Sequence, residues 1–157
     1  MATDLTSLLG EGVILDPVAV ENRKQALTTL AGALAEKTRL DARDIFDAVM
    51  ERERLGSTGV GEGVAIPHAR IDKLTRPIGG FVRLRGGVDF DAVDDRPCDL
   101  IFMLIAPVGS GADHLRALAQ VSRTLRQPKL RDDLRKAESA IETKAILCPE
   151  AANASVA

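Results

Sequence analysis

The sequence predicts an α/β fold: a mixed β-sheet with helices packed on its faces. Three observations lead there. Apolar residues recur at helical spacing in segments at both ends of the chain, as in Ala26, Leu27, Leu30, Ala31, Leu34 and Ala35. Short extended segments lie between them. One stretch, Asp99 to Ala106 (DLIFMLIA), is almost uninterrupted hydrocarbon bounded by Pro97 and Pro107, as expected of a central strand buried on both faces. Interleaved helices and strands define the class.

Thr3 or Asp4 can cap a short helix through Leu9, which Gly10 ends. Val13, Ile14 and Leu15 read as a strand closed by Asp16-Pro17. A helix is expected from Glu21 to about Thr38. Asp41 can cap the next one, with Ile45, Phe46, Val49 and Met50 on its buried face and Gly56 at its end. Ile78 to Leu84 is strand-like, and Gly86-Gly87 signals a hairpin turn into Val88-Asp89-Phe90. Asp94, Asp95 and Pro97 mark a loop. After the central strand, Gly109, Ser110 and Gly111 form a turn. A helix follows from about Ala112 to Arg126 with Leu115, Leu118, Val121 or Ser122, and Leu125 inward. Pro128 breaks it, and Leu130, Leu134, Ala137 and Ile141 carry further helix. A single domain over 1–148 is expected, followed by a loose tail at 149–157.

Composition excludes several function classes. The 157 residues carry a net charge of −2 with both signs interspersed, so no basic surface for nucleic acid is read. Trp and Tyr are absent and Phe is scarce, against a base-stacking platform. The longest apolar run, Leu100 to Val108, is nine residues, far short of a membrane span. No signal peptide is read at the N-terminus. Cys98 and Cys148 have no CxxC partner and read as reduced thiols of a cytoplasmic protein. Two histidines with Asp113 lack metal-ligand spacing, so no metal is expected.

Chemistry concentrates in Gly56 to Arg70, GSTGVGEGVAIPHAR. Gly56, Gly59, Gly61 and Gly63 fall within eight residues, and Pro67 stiffens the chain just before His68. Such a loop can offer N–H donors to an anion. His68, neutral near pH 7, can act as nucleophile or base. His114 falls in the first turn of a helix that follows the central strand, where free N–H groups and the helix dipole attract anions. In open α/β sheets the ligand crevice lies beyond such a strand end. Arg52 and Arg54, in ERER, directly precede the glycines; spacing alone does not choose between them. GxGxG at Gly59, Gly61 and Gly63 runs into extended chain rather than a helix, against a dinucleotide site. There is no GxxxxGK[ST], and Ser57 does not stand in GxSxG.

The run RERLGSTGVGEGVAIPHA, with Pro97 to Leu100 and ADHLRAL further on, resembles the enzyme IIA proteins of the bacterial phosphotransferase system. The resemblance is to the fructose/mannitol-type superfamily and, within it, the nitrogen-regulatory branch. It covers about Leu5 to Leu147. It implies a three-layer sandwich, and a phosphoryl group accepted on His68 from a histidine phosphocarrier protein charged by an enzyme I. It implies that His114 and Arg52 assist, and that Ser57, Thr58 and Gly59 form the phosphate-binding loop. Donor and acceptor are both imidazoles, so no cofactor is expected. In that branch the phosphorylation state regulates partners such as potassium-transport, sensor-kinase or stringent-response proteins. In the sugar-specific branch the phosphate passes to a IIB domain.

Overall fold

A computed structural model describes residues 4–149. The expected tail at 149–157 lies, beyond Pro149, outside the described residues, as does Thr3. The elements run α1 (Thr6–Leu9), β1 (Val13–Val18), α2 (Arg23–Thr38), α3 (Ala42–Leu55), β2 (Gly59–Gly61), β3 (Val64–Ala65), β4 (His68–Ile71), β5 (Ile78–Val88), β6 (Cys98–Pro107), α4 (Gly111–Leu125), α5 (Pro128–Lys136) and α6 (Ala140–Leu147).

Strand β6 is the axis of the sheet, whose order is β1-β5-β6-β3-β2 with β4 also on β6. It is antiparallel to β5 and parallel to both β3 and β4. Val64 pairs with Leu100 and His68 with Leu104, so β3 and β4 are one extended run along β6, interrupted at Ile66-Pro67. The mixed sheet expected from sequence is therefore present, with β6 where the apolar run placed it. Strand alternation sends its side chains to two cores. Ile101, Met103 and Ile105 join α2 and α3. Leu100, Phe102 and Leu104 join α1, α4, α5 and α6. Helices cover both faces, giving three layers.

Helix caps follow the sequence closely. The Asn22 side chain accepts from Gln25 N at 2.9 Å and starts α2, and Asp41 accepts from Arg43 N at 2.8 Å and starts α3. Helix α1 begins at Thr6, whose N–H donates to Asp4.

Four expectations are corrected. Strand β1 continues through Asp16-Pro17 to Val18. It is an edge strand, and the register shifts between Leu15 and Val18, so proline sits where the ladder is already broken. Gly86-Gly87 is no hairpin turn. Strand β5 runs through it to Val88, and Leu84 to Gly87 bulge out opposite Asp99, between the Arg83–Leu100 and Val88–Cys98 pairs. A Cβ on Gly87 would lie 2.7 Å from the Pro97 side chain, so the glycine answers a close approach. Pro128 opens α5 as its first residue rather than only breaking α4. The helix expected through Ile141 is two helices: the backbone leaves α5 at Ala137 and restarts after Ser139, whose hydroxyl caps α6, and Ile141 is exposed.

The tip of the Phe102 ring lies against Gly79 of β5. A Cβ built on Gly79 would stand 2.4 Å from Phe102 Cζ, in a part of the core where the ring is fully buried. Gly79→Ala is expected to lower the unfolding free energy by about 1–3 kcal/mol, the usual cost of overpacking, read from urea titration. A loss below about 0.5 kcal/mol would contradict this packing.

Candidate functional site

Among the described residues strand β4 pairs with β6 alone, which leaves its other side a sheet edge. There the two helical layers meet. An open cleft of about 560 Å3 is lined by Ala48, Glu51, Arg52 and Leu55 of α3, His68, Ala69 and Arg70 of β4, and His114, Leu115 and Leu118 of α4. Residues distant along the chain thus converge at one edge.

The two histidine rings lie with centroids 5.5 Å apart, tilted by 57°. His68 is half-buried at the first position of β4. Its Nδ1 lies 2.9 Å from the carbonyl oxygen of Ile66. A carbonyl only accepts, so Nδ1 carries the proton and Nε2 holds the free lone pair. Burial lowers the pKa of His68, the Ile66 carbonyl partly opposes this, Arg52 lowers it further and Glu53 raises it.

His114 is only 5% exposed, in the first turn of α4, and its Nδ1 has no partner among the described residues. Burial is the main cause of its lowered pKa, followed by His68 and Arg70. Both rings are neutral at about pH 7.

Arg52 anchors one Nη1 hydrogen bond on the carbonyl of Gly56 at 2.8 Å, leaving its other N–H groups toward the cleft. The structure thus separates Arg52 from Arg54, which does not line the cleft. Its neighbour Glu53 turns inward and is buried. The Glu53 carboxylate pairs with Arg23 at 3.4 Å and accepts a hydrogen bond from the Thr58 hydroxyl.

Ser57, Thr58 and Gly59, expected to bind phosphate, do not line the cleft. The Ser57 hydroxyl donates to the carbonyl of Phe90 and accepts from Gly59 N at 2.9 Å. Thr58 is buried against Glu53. The glycine stretch is a β-hairpin, β2 to β3, turned at Glu62-Gly63 where both residues have positive φ, of 58° and 79°. Some of its amides serve this frame: Glu62 N donates to Asp94 at 2.9 Å and Ile66 N to Thr58 O at 3.0 Å. Two cleft residues escaped the sequence reading. Leu115, expected inward, is 64% exposed at the cleft rim. Arg70 was not singled out, although it stands two residues after His68 on the same strand face.

The arrangement defines a class first: a three-layer α/β protein with two neutral imidazoles and two guanidiniums at one sheet edge, suited to holding an anion against a nitrogen nucleophile. The family model described as phosphoenolpyruvate-dependent sugar phosphotransferase system, EIIA 2, matches residues 7–148, and the chain belongs to that family. It is 44% identical over 136 residues to a nitrogen regulatory protein of Bradyrhizobium diazoefficiens, covering 87% of this chain and 89% of that one. It is 38% identical over 138 residues to a fructose-specific EIIA component of Haloferax volcanii, covering 87% and 90%. Among solved structures, the nitrogen regulatory protein IIA-Ntr of Neisseria meningitidis superposes with a TM-score of 0.81 at 36% identity, over 89% of this chain and 95% of that one. Among the described residues no helix is long and apolar enough to cross a membrane.

The lowered histidine pKa values set a pH dependence. Below the ordinary histidine value of 6.5 the unfolded chain takes up protons that the native rings do not yet accept. Stability therefore rises with pH through the window from the native values up to 6.5, and acid favours unfolding there. Proton NMR titration is expected to give midpoints below 6.5 for both rings; a midpoint above it for either would contradict the burial argument.

Proposed function

We propose that this protein is a phosphoryl carrier of a nitrogen-related phosphotransferase system. His68 accepts the group from a histidine phosphocarrier protein, and the phosphorylation state of the cleft regulates partner proteins in the cytoplasm. A single EIIA type-2 domain over 1–148 carries the activity. One observation bears most of the weight: a histidine whose Nδ1 is tied to a carbonyl, with its Nε2 free, beside a second buried histidine and an arginine.

The chemistry needs little from the protein beyond position and charge. The Nε2 lone pair of His68 attacks phosphorus on the carrier's phosphohistidine. A new N–P bond forms while the old one breaks, and the carrier's ring nitrogen leaves with its electron pair. The proton on Nδ1 stays in place, so His68 becomes a cationic ring carrying a dianionic PO3 group. That cation is stabilised by the Ile66 carbonyl. Arg52 and the N–H of His114 can then meet the phosphoryl oxygens. After transfer the cleft holds a dianionic PO3 group against one new positive charge on the ring, a gain of about one net negative charge and three acceptor oxygens that can alter which partner docks.

Similarity to nitrogen regulatory proteins of three organisms, at 33–44% identity, supports regulation over sugar transfer. The likeness to the Haloferax fructose-specific component keeps the sugar-specific branch as the second reading. The two differ in the fate of the phosphate: the sugar-specific protein hands it to a IIB domain.

Incubation with phosphoenolpyruvate, enzyme I and a histidine phosphocarrier is expected to label the protein on His68. His68→Ala should abolish the label. Arg52→Gln should slow its appearance by about tenfold or more, as expected for losing a charge-assisted hydrogen bond. Mass spectrometry that finds the label intact in His68→Ala would end the carrier proposal. Rapid passage of the label to a fructose or mannitol IIB domain would move the protein to the sugar-specific branch.

A further inference from the structure

The carrier chemistry leaves one cleft cation without a task. Arg70 stands two positions after His68 on β4, in parallel register with Ala106, as His68 is with Leu104. Residues two apart on a strand share a face, so both side chains leave β4 on the side of α4. Arg70 lines the cleft with both histidines. Its guanidinium reaches the start of α4, where a Cβ on Gly111 would lie 3.8 Å from Nη2.

We propose that Arg70 is the second guanidinium of the phosphoryl site, closing on the PO3 group from the α4 side while Arg52 holds it from the α3 side; this rests on the carrier reading.

Three features single it out. First, it is uncommitted. The Arg70 side chain makes no hydrogen bond and no ion pair among the described residues, whereas that of Arg52 is anchored to Gly56 and that of Arg116, on α4, to Asp113. An arginine with all its donors free can fork onto two oxygens of one tetrahedral anion. Second, the charge balance requires it. The charged side chains lining the cleft are Arg52, Arg70 and Glu51. Without Arg70, Arg52 only offsets Glu51, and the dianionic PO3 group, met by the single positive charge of its ring, would leave a net negative charge unbalanced. With Arg70 the cleft opposes the dianion with a net positive charge. Third, Arg70 already acts on the site electrostatically: its charge helps keep His114 neutral. The first amides of α4 add to this positive end. The Ser110 hydroxyl does not cap them but donates to the carbonyl of Pro107 at 2.7 Å.

Phosphoramidate tests this without a partner protein. Nε2 of His68 attacks its phosphorus, the phosphorus–nitrogen bond breaks, and ammonia leaves with that electron pair. The rate of phosphohistidine formation on the full chain is read by phosphorus NMR for wild type, Arg70→Gln, Arg70→Lys and Arg123→Gln. Arg123 is exposed on α4 away from the cleft and matches the charge change. Arg70→Gln is expected to slow phosphorylation by about tenfold, the scale of one charge-assisted hydrogen bond. Arg70→Lys, which keeps the charge but not the fork, should recover only part of the rate, and Arg123→Gln should match wild type. Arg70 is exposed and unpartnered, so these variants are expected to fold, which the unphosphorylated spectra check. If wild type forms phosphohistidine and Arg70→Gln keeps its rate, the Arg70 proposal falls while the carrier reading stands. If Arg123→Gln is slowed equally, the effect is general charge and the proposal falls likewise. If wild type itself is labelled neither by phosphoramidate nor by the enzyme I relay, the carrier reading falls and takes this one with it.

Discussion

The hydrogen bond from His68 Nδ1 to the carbonyl of Ile66 is the constraint on which the cleft depends. It decides which ring nitrogen faces out as a base and fixes the ring plane. It exists because the run along β6 is interrupted at Ile66-Pro67. Proline cannot donate to the ladder, so pairing lapses between Ala65 and His68. The neighbouring groups remain tied down: Ile66 N donates to Thr58 O at 3.0 Å, and Leu104 N to Pro67 O at 2.9 Å. The interruption is thus held rigidly, and the Ile66 carbonyl is left for the imidazole. A strand end alone would have left the ring to rotate.

Around this bond the two helical layers contribute from opposite directions. Helix α3 brings Arg52 and α4 brings His114, and β4 can receive both because no further strand among the described residues covers its edge. The glycine-rich segment serves as the joint between α3 and the sheet. Glu53, Arg23, Thr58, Ser57 and the carbonyl of Phe90 form one polar network there, buried at Glu53 and Thr58 and partly exposed at Arg23. Each member finds a partner, which is the condition for a buried network to rigidify its surroundings. The sequence GST after α3 is therefore read best as an anchor. It fixes the helix end that carries Arg52, one residue away from the buried Glu53.

Much of this was legible in the sequence where local physics decides. The apolar run Asp99 to Ala106 could only be central, and Asp41 and Gly56 bracket α3 by capping chemistry. His68, His114 and Arg52 share one cleft in the structure, and each carries a signal in the sequence: a stiffened histidine, a helix start beyond a central strand and a basic helix end. What local sequence does not show depends on tertiary partners. Gly86-Gly87 looks like a turn until Pro97 is seen pressing on Gly87. Ser57 and Thr58 read as anion ligands, and only the fold shows that their hydroxyls bond to the Phe90 carbonyl and the Glu53 carboxylate. Leu115 fits the apolar period of α4, yet the cleft removes the surface it would have covered. Arg70 carried a signal that went unused, the two-residue strand period from His68.

The most direct measurement of the central claim is the chemical identity of the phosphohistidine. With Nδ1 held by Ile66, nitrogen-15 and phosphorus NMR of the phosphorylated protein should place phosphorus on Nε2 of His68 alone. Phosphorus on Nδ1 would mean that the bond to Ile66 does not govern the ring, and the site as described here would be wrong.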